Sequence, residues 1–268
     1  MVLGMSYSLW DSEELLEYSI RSIRSNVDYI SVVYQEVSNH GEPCDPGLYD
    51  LLLSLKKRKL IDAILLYTPN MTPNPEQPSL NETNKRQLGL ELSRVHGCTH
   101  HITIDCDEFY TDEQFKFMKS TMEMGYYSTG YCQHRQYYHD NTHQLAIPEG
   151  EYVATIEKIL PSTQYIYQAY APDGIGIDPT RKTNNISSGG AYRVFTRQEC
   201  EMHHMSFVRK DIRKKLSNHS SRRFFTEEQI TKVTDYYNSW TPDNKYCMWA
   251  GGNLLELIEV PKLFDIYE

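Results

Sequence analysis

Residues 99–110 read THHITIDCDEFY, an apolar run that ends abruptly in acids. The segment from His101 to Ile104 has the β-branched composition of a buried strand. Asp105, Asp107 and Glu108 follow it within four residues. Ligands bind at the carboxyl ends of strands in open α/β sheets. The stretch therefore predicts a functional site at the end of a central strand.

Strand-like and helix-like segments alternate four times over the first 125 residues. This alternation predicts right-handed crossovers and an α/β fold with a mostly parallel central sheet flanked by helices. We expect 28–34, 60–67 and 99–104 to be neighbouring buried strands, because each is apolar and β-branched. The predicted strands are 2–7, 28–34, 60–67 and 99–104, and the predicted helices are 11–23, with Ser12 as N-cap, 48–59, 80–97 and 111–124.

The pattern changes after residue 125. The stretches YYSTGYCQHRQYY and EYVATIEKILPS have the composition of longer, partly antiparallel strands. No internal repeat or low-complexity linker separates the two parts. We therefore expect one domain over residues 1–268, with a first half, 1–125, and a mixed second half, 126–268.

Composition excludes several classes of protein. The chain has 268 residues, a net charge of −9 and a pI near 5.6, so nucleic-acid phosphate would repel it overall. The six cysteines form no C-x-x-C pair, which argues against a zinc ribbon and indicates a reducing compartment. The sequence shows no signal peptide and no apolar run of membrane-spanning length. These features predict a cytoplasmic protein.

The acids after the 99–104 strand allow two interpretations. Asp105 and Asp107 flank one residue, so on an extended segment both side chains point the same way and form a hard-oxygen site suited to Mg²⁺ or Mn²⁺. Alternatively, Asp107 or Thr111 caps the helix that follows. An EF-hand is excluded, because Tyr110 stands where that loop needs glycine.

Two longer stretches resemble a known family. HGCTHHITIDCDEFY (96–110), preceded by the helix NKRQLGLELSRV, resembles the segment that leads into the D-x-D motif of GT-A fold glycosyltransferases. YSLWDSEELLEYSIRSIRSNVDYISVVYQEVSNHG (7–41) resembles the opening of family-2-like members. The resemblance covers 1–110 well. The chain departs from the family at Glu36, where members usually have Asp, and in the proline-rich insert 68–79.

The resemblance implies an activity and a set of site residues. The first half would bind a UDP-, GDP- or dTDP-linked sugar with Mn²⁺ or Mg²⁺, and the second half would bind a carbohydrate or lipid-linked acceptor, as in polysaccharide biosynthesis. The implied metal ligands are Asp107, His204 and, through water, Asp105, which would otherwise contact the donor ribose. The implied donor contacts are Trp10, Glu13, Glu36, Ser38, Lys85, Arg86 and Asp105.

The second half offers further candidates. His203 and His204 are adjacent, so only one can face a site on a strand, and we favour His204; either could instead be an ordinary core or surface histidine. Glu157 and Asp173 are candidates for the catalytic base of an inverting enzyme. The polar segment 173–190 is a candidate mobile loop over the site.

Two clusters of the second half have ordinary alternatives. Residues 209–223 are rich in Arg and Lys, which predicts either a solvated helix face, phosphate binding or peripheral contact with an anionic membrane. Trp240 and Trp249 suit core packing or stacking on an acceptor.

Two other functions fit the same elements. A nucleotidyltransferase shares the alternating architecture and the acid pair, but the turn SYSLWDSEE lacks the Gly-rich basic loop that such enzymes usually carry after the first strand. A non-catalytic glycan-binding or nucleotide-binding protein could keep the fold without the chemistry. The retained D-x-D sequence with Lys85 and Arg86 argues against that reading.

Overall fold

The computed structural model describes residues 1–219 and 222–267 as a mixed sheet of twelve strands with helices packed against it. The α/β class predicted from the sequence is confirmed. The strands are β1 (Leu3–Leu9), β2 (Tyr29–Tyr34), β3 (Ala63–Leu66), β4 (His100–Asp105), β5 (Glu108–Phe109), β6 (Tyr127–Tyr138), β7 (His143–Leu145), β8 (Tyr152–Lys158), β9 (Ala191–Val194), β10 (Glu201–Phe207), β11 (Tyr246–Met248) and β12 (Leu254–Glu259). The helices are α1 (Glu13–Ile23), α2 (Leu48–Lys57), α3 (Gln77–Val95), α4 (Asp112–Met124), α5 (Ile212–Asn218) and α6 (Glu227–Ser239).

The first half forms the parallel part of the sheet in the order β3-β2-β1-β4. Because β1 lies between β2 and β4, the prediction that 28–34, 60–67 and 99–104 are all neighbours is wrong. The segment 60–67 contains β3, which is a half-buried edge strand, so the expectation of full burial is wrong there too. The chain returns past β1 to place β4, and this reversal opens a crevice between β1 and β4.

The second half extends the sheet beyond β4. The long strand β6 pairs antiparallel with β8 and parallel with β9 and β10, and β8 pairs antiparallel with β4. The predicted antiparallel character of this half is confirmed. The short strand β5, which directly follows the acids, pairs with β10 and thereby joins the two halves at the predicted site.

Helix α3 packs unusually close to the sheet, and a glycine permits it. A Cβ added at Gly89 would lie only 2.1 Å from the hydroxyl oxygen of Ser6 on β1. Any larger residue would push the helix away from the strand. This approach brings Lys85 and Arg86, about one helical turn before Gly89, close to the carboxyl ends of β1 and β4.

Helix α1 shows how the apolar pattern produces this packing. Leu16, Ile20 and Ile23 recur at helical spacing and are fully buried in the main core. Ser12 occupies the predicted N-cap position, but its backbone is left-handed and its side chain makes no capping hydrogen bond. Thr111 does cap α4 through the backbone N–H of Gln114.

Two general properties agree with the composition. All six cysteines are free thiols. Within residues 1–219 and 222–267, no helix combines the length and apolarity needed to cross a bilayer.

Candidate active site

A cleft of about 840 Å³ opens where β1 and β4 end. The parallel register pairs Ser8 with Asp105, so the turn Trp10–Ser12 after β1 and the acids after β4 lie at the same edge of the sheet. Residues from α3, β6, the 176–181 segment, β10 and α5 form the remaining walls. The position matches the crevice expected from the strand order.

Asp105 is bound by two arginines. Arg86 of α3 donates to both carboxylate oxygens at 3.2 Å, and Arg181 donates to Oδ2 at 2.6 Å. Burial raises the pKa of Asp105, but the two guanidinium groups outweigh it and hold the pKa well below its usual value. Both oxygens are therefore engaged, and Asp105 does not fit the role of a direct metal ligand.

Arg181 connects this carboxylate to a second, more deeply buried one. Its guanidinium group also donates to both oxygens of Glu108, and one of those oxygens accepts the backbone N–H of Asp105. No sequence pattern pointed to Arg181, which stands in a polar segment without a motif. Through Glu108, Arg181 of the second half therefore helps to hold the backbone of the D-x-D turn in place.

Asp107 is buried and faces two other cations. Its Oδ2 accepts hydrogen bonds from Arg209 and, at 2.9 Å, from the Lys215 ammonium group. Burial raises the pKa of Asp107, but Lys215, Arg209 and His204 together hold it well below the usual range. Asp107 does not cap α4; its backbone carbonyl instead accepts the N–H of Met205 on β10 at 2.6 Å.

The pairing of β10 with β5 decides which histidine faces the acids. His204 lies opposite Glu108, and its Nε2 is 3.6 Å from Oδ1 of Asp107. His203 points to the other side of the strand, where its Nδ1 contacts the Tyr137 hydroxyl at 2.9 Å. The structure therefore brings His204 to the cleft and leaves His203 in the core.

Asp107 and His204 fit a divalent cation as a pair. Two ligand atoms at about 2.1 Å from one ion are separated by roughly 3 to 4 Å, which agrees with the Oδ1 to Nε2 distance of 3.6 Å. The Gln136 amide nitrogen lies 2.9 Å from Nδ1 of His204 and so helps to orient the imidazole, with Nε2 directed at Asp107.

The turn after β1 forms the neighbouring wall. Trp10 lines the cleft, and the ammonium group of Lys214 lies 4.9 Å from its ring centroid. Asp11 binds Arg209 at 2.7 Å and Lys214 at 3.2 Å. Lys85 also lines the cleft and pairs with Glu82 at 3.0 Å. Trp10, Lys85 and Arg86 thus lie where the sequence placed donor contacts.

Three other predicted donor contacts are not part of the cleft lining. Glu13 lies in the first turn of α1, where burial raises the pKa of its carboxyl. Glu36 is exposed beyond the end of β2. Ser38 is buried, and its hydroxyl accepts the backbone N–H groups of His40 and Glu42, which is a turn-stabilising role.

The two predicted catalytic bases also lie outside the cleft lining. Glu157 is buried in β8, where one of its oxygens accepts hydrogen bonds from Thr129, Thr183 and Asn185. Asp173 is exposed in the polar segment. The structure does not bring either residue to the cleft. The part of the 173–190 segment around Thr183 and Asn185 is anchored to β8 through Glu157.

Two acids and a histidine that the sequence did not reveal line the wall formed by the second half of the chain. His134 comes from β6, and Glu149 and Glu151 come from the loop before β8. Their sequence neighbourhood contains no motif, and the strand pairing of β6 with β8 alone brings them together. Trp249 lines the same cleft and stacks on Phe207 at 4.3 Å.

The remaining ambiguous residues separate clearly. Trp240 is buried in the second hydrophobic cluster, so core packing is the correct reading for it. Within the basic cluster, Arg209 and Lys215 face the acids. Lys210 and Arg213, by contrast, are exposed. One segment thus contains both solvated cations and cations that pair with a buried acid, and phosphate binding by the latter stays a prediction.

Comparison with known proteins yields only distant similarities. No family model matches the chain, and no curated protein sequence matches it. Among solved structures, TarS of S. aureus aligns with 91% of this chain at 9% identity and a TM-score of 0.44, and the alignment spans 45% of that chain. Residues 1–349 of TarS in complex with UDP give the same TM-score and identity, with 91% and 74% coverage.

A nucleotidyltransferase has comparable similarity. The inositol-1-phosphate CTP transferase from T. maritima aligns with 76% of this chain and 90% of its own length, at 10% identity and a TM-score of 0.38. The chain thus spans a little under half of full-length TarS but corresponds to most of this smaller protein. The function proposed below rests on the residues of the cleft alone.

Proposed function

We propose that this protein is a glycosyltransferase that moves a sugar from a nucleotide-sugar donor to a carbohydrate or lipid-linked acceptor. The observation that carries the proposal is the cleft between β1 and β4, where buried acids and several cations converge at the strand ends. A nucleotide sugar presents two phosphates and an aromatic base, and the cleft offers cationic groups beside the half-buried ring of Trp10. We propose a UDP-, GDP- or dTDP-linked donor.

We propose that Asp107 and His204 hold Mn²⁺ or Mg²⁺. When bound, such an ion neutralises charge that develops on the diphosphate leaving group. The cations of the chain add to this stabilisation, because Lys215 and Arg209 already lie at Asp107 and need little reorganisation to contact a phosphate. Asp105 instead positions Arg86 and Arg181. Its contact with the donor ribose, which the family resemblance also implies, stays a proposal.

The turn after β1 argues against nucleotidyl transfer. Nucleoside triphosphate substrates need donors and positive charge around three phosphates. Here the turn Trp10–Ser12 carries a carboxylate, Asp11, which itself requires Arg209 and Lys214 as partners. A sugar diphosphate makes a smaller demand for positive charge, so we favour the glycosyltransferase.

The acceptor would lie between β6, the loop before β8 and Trp249, on the second-half wall. This wall contains aromatic and hydrogen-bonding side chains, which suit a glycan. Contact with a membrane surface receives less support than the sequence suggested, since Arg209 and Lys215 point inward and Arg213 pairs with Glu227.

A thermal-shift experiment tests the donor and the ion together. UDP-, GDP-, CMP- and dTDP-sugars are each added with and without Mn²⁺. We expect one nucleotide class to raise Tm only with the ion, by about 5 °C at a concentration near 100 times Kd. Release of pyrophosphate from a nucleoside triphosphate, without sugar transfer, would instead identify a nucleotidyltransferase.

The variants Asp107→Asn and His204→Gln test the ligands, with the exposed Asp235→Asn as a matched control. Both cleft variants should lose the Mn²⁺-dependent part of nucleotide binding, at least tenfold in Kd, while the control binds normally. Asp107→Asn also leaves Lys215 without its anion and removes one of the two carboxylate partners of Arg209, so this variant should be less stable than wild type. Binding is therefore measured at a temperature where each variant is folded. Unchanged ion dependence in His204→Gln would remove this histidine from the site.

A further inference from the structure

The acids of the cleft differ in whether they pair with a lysine or arginine, and the proposed function makes no use of this difference. Among the described residues, each acid on the strand-end side has a lysine or arginine partner. Glu149 and Glu151 have none. The paired acids are Asp11, Glu82, Asp105, Asp107, Glu108 and Asp178.

The carboxylate of Glu149 has polar neighbours but, among the described residues, no lysine or arginine partner, since Arg197 donates to its backbone carbonyl oxygen instead. Gln136 donates to Oε2 at 3.1 Å, and Nε2 of His134 lies 3.0 Å from the same oxygen. Glu151 is exposed, and its carboxylate makes no contact of this kind within the described chain. Two carboxylates without a lysine or arginine partner leave a local negative charge on the wall of the cleft.

His134 provides an independent indication of a ligand. It is 91% buried, as its relative exposure is 9%. Its Nε2 is enclosed and has no partner with hydrogen-bond geometry, although the Glu149 oxygen is near. A buried nitrogen that is aimed at carboxylates but makes no proper hydrogen bond is poorly solvated, and a cation between these groups would satisfy it.

We propose that His134, Glu149 and Glu151 form a second divalent-cation site, separate from Asp107 and His204. One ligand atom from each residue lies within 4.8 Å of the others. Small rotations of the exposed Glu151 side chain would close the set around an ion with bonds of about 2.1 Å. Imidazole with two carboxylates favours Zn²⁺ or Mn²⁺ over Ca²⁺, which prefers oxygen ligands throughout.

The two sites are neighbours joined by one side chain. The Gln136 amide contacts both Glu149 and Nδ1 of His204, and the rings of His134 and His204 stack at 5.8 Å. The second ion would therefore lie on the acceptor side of the cleft. If the proposed glycosyl transfer is correct, this ion would orient the acceptor hydroxyl, a consequence that rests on the proposed function. The existence of the site does not rest on it.

The test uses the metal alone on the full chain. Isothermal titration with Zn²⁺ and with Mn²⁺ is compared for wild type, the double variant Glu149→Gln/Glu151→Gln, Asp107→Asn and the control Glu113→Gln, which removes an exposed acid elsewhere. We expect two ions per wild-type chain, one in the double variant and one in Asp107→Asn. The control should resemble wild type. Anomalous diffraction at the zinc edge should place one ion at His134.

Each outcome decides between the two sites. If the double variant binds as wild type does, or if Asp107→Asn loses all binding, the second site is refuted. If Asp107→Asn binds as wild type does while the double variant binds nothing, the second site stands and the proposed Asp107 site fails. His134→Gln serves as a third variant should the double variant be unstable, and it must weaken binding at least tenfold.

Discussion

The two halves of the chain bring opposite charges to the cleft. The first half supplies Asp11, Asp105, Asp107 and Glu108 at the strand ends, and the second half supplies Arg181, Arg209, Lys214 and Lys215 to meet them. Only Arg86 provides a first-half partner to one of these four acids within the described residues. The edge of the sheet at the ends of β1 and β4 is thus completed by ion pairs between residues that are far apart in the sequence.

This difference explains how the site is held together. A buried carboxylate without a partner is strongly unfavourable, whereas a buried pair roughly offsets its own desolvation. The acids at the strand ends of the first half therefore depend on cations from the second half. The second-half wall of the cleft differs, because its acids Glu149 and Glu151 have no lysine or arginine partner from the first half among the described residues.

Arg181→Met should show the largest effect, because it breaks the pairing between the halves at its most buried point. The side chain is 5% exposed and serves both Asp105 and Glu108, whose own side chain is 3% exposed. We expect the free energy of unfolding to fall by about 3 to 5 kcal/mol, since two acids lose their shared partner. Urea unfolding monitored by circular dichroism measures the loss.

Arg213→Ala is the matched control for Arg181→Met. This arginine is 46% exposed and pairs with an exposed Glu227, so its removal should change the free energy of unfolding by no more than about 0.5 kcal/mol. Similar losses in the two variants would show that the pairing across the halves has no special weight. The double variant Arg181→Met/Glu108→Gln should recover part of the loss, because it also removes the unpaired buried charge.

Glu157→Gln sharpens the comparison through pH. Burial raises the pKa of Glu157 to about 7, against its usual value near 4.5, despite hydrogen bonds from Thr129, Thr183 and Asn185. Between these pH values the folded chain holds a proton that the unfolded chain has released. Stability from this group is therefore full at low pH and is lost as pH rises to 7.

The glutamine variant stays neutral at every pH and lacks this dependence. The stability advantage of wild type over Glu157→Gln should shrink by about 2 kcal/mol between pH 5 and pH 8. Unfolding curves of both proteins across this range measure it. If the two stability profiles run parallel, Glu157 is ionised over the whole pH range, and Thr183 and Asn185 donate to a carboxylate.

The site shows where sequence reasoning succeeds and where it stops. Local patterns located the strands of the first half and the acids at the end of β4, because periodicity and turn chemistry act over a few residues. The inward face of β10 was set by its pairing with β5 instead. The role of Asp105 could not be read in this way, since Arg181 lies 76 residues further along the chain. Glu157 misled for a related reason: β8 is covered on both faces, so its polar residue does not point to solvent.

Lys214→Ala should produce the smallest effect and the finest test of the charge arrangement. Its side chain is 19% exposed, lies 3.2 Å from Asp11 and rests over the Trp10 ring. Because Arg209 remains beside Asp11, we expect less than about 1 kcal/mol of lost stability. The loss should diminish in 1 M salt, where charges at partly exposed sites are screened. An unchanged loss in high salt would show that Lys214 acts by packing its stem on Trp10, and a loss as large as that of Arg181→Met would show that the periphery of the cleft matters as much as its buried centre.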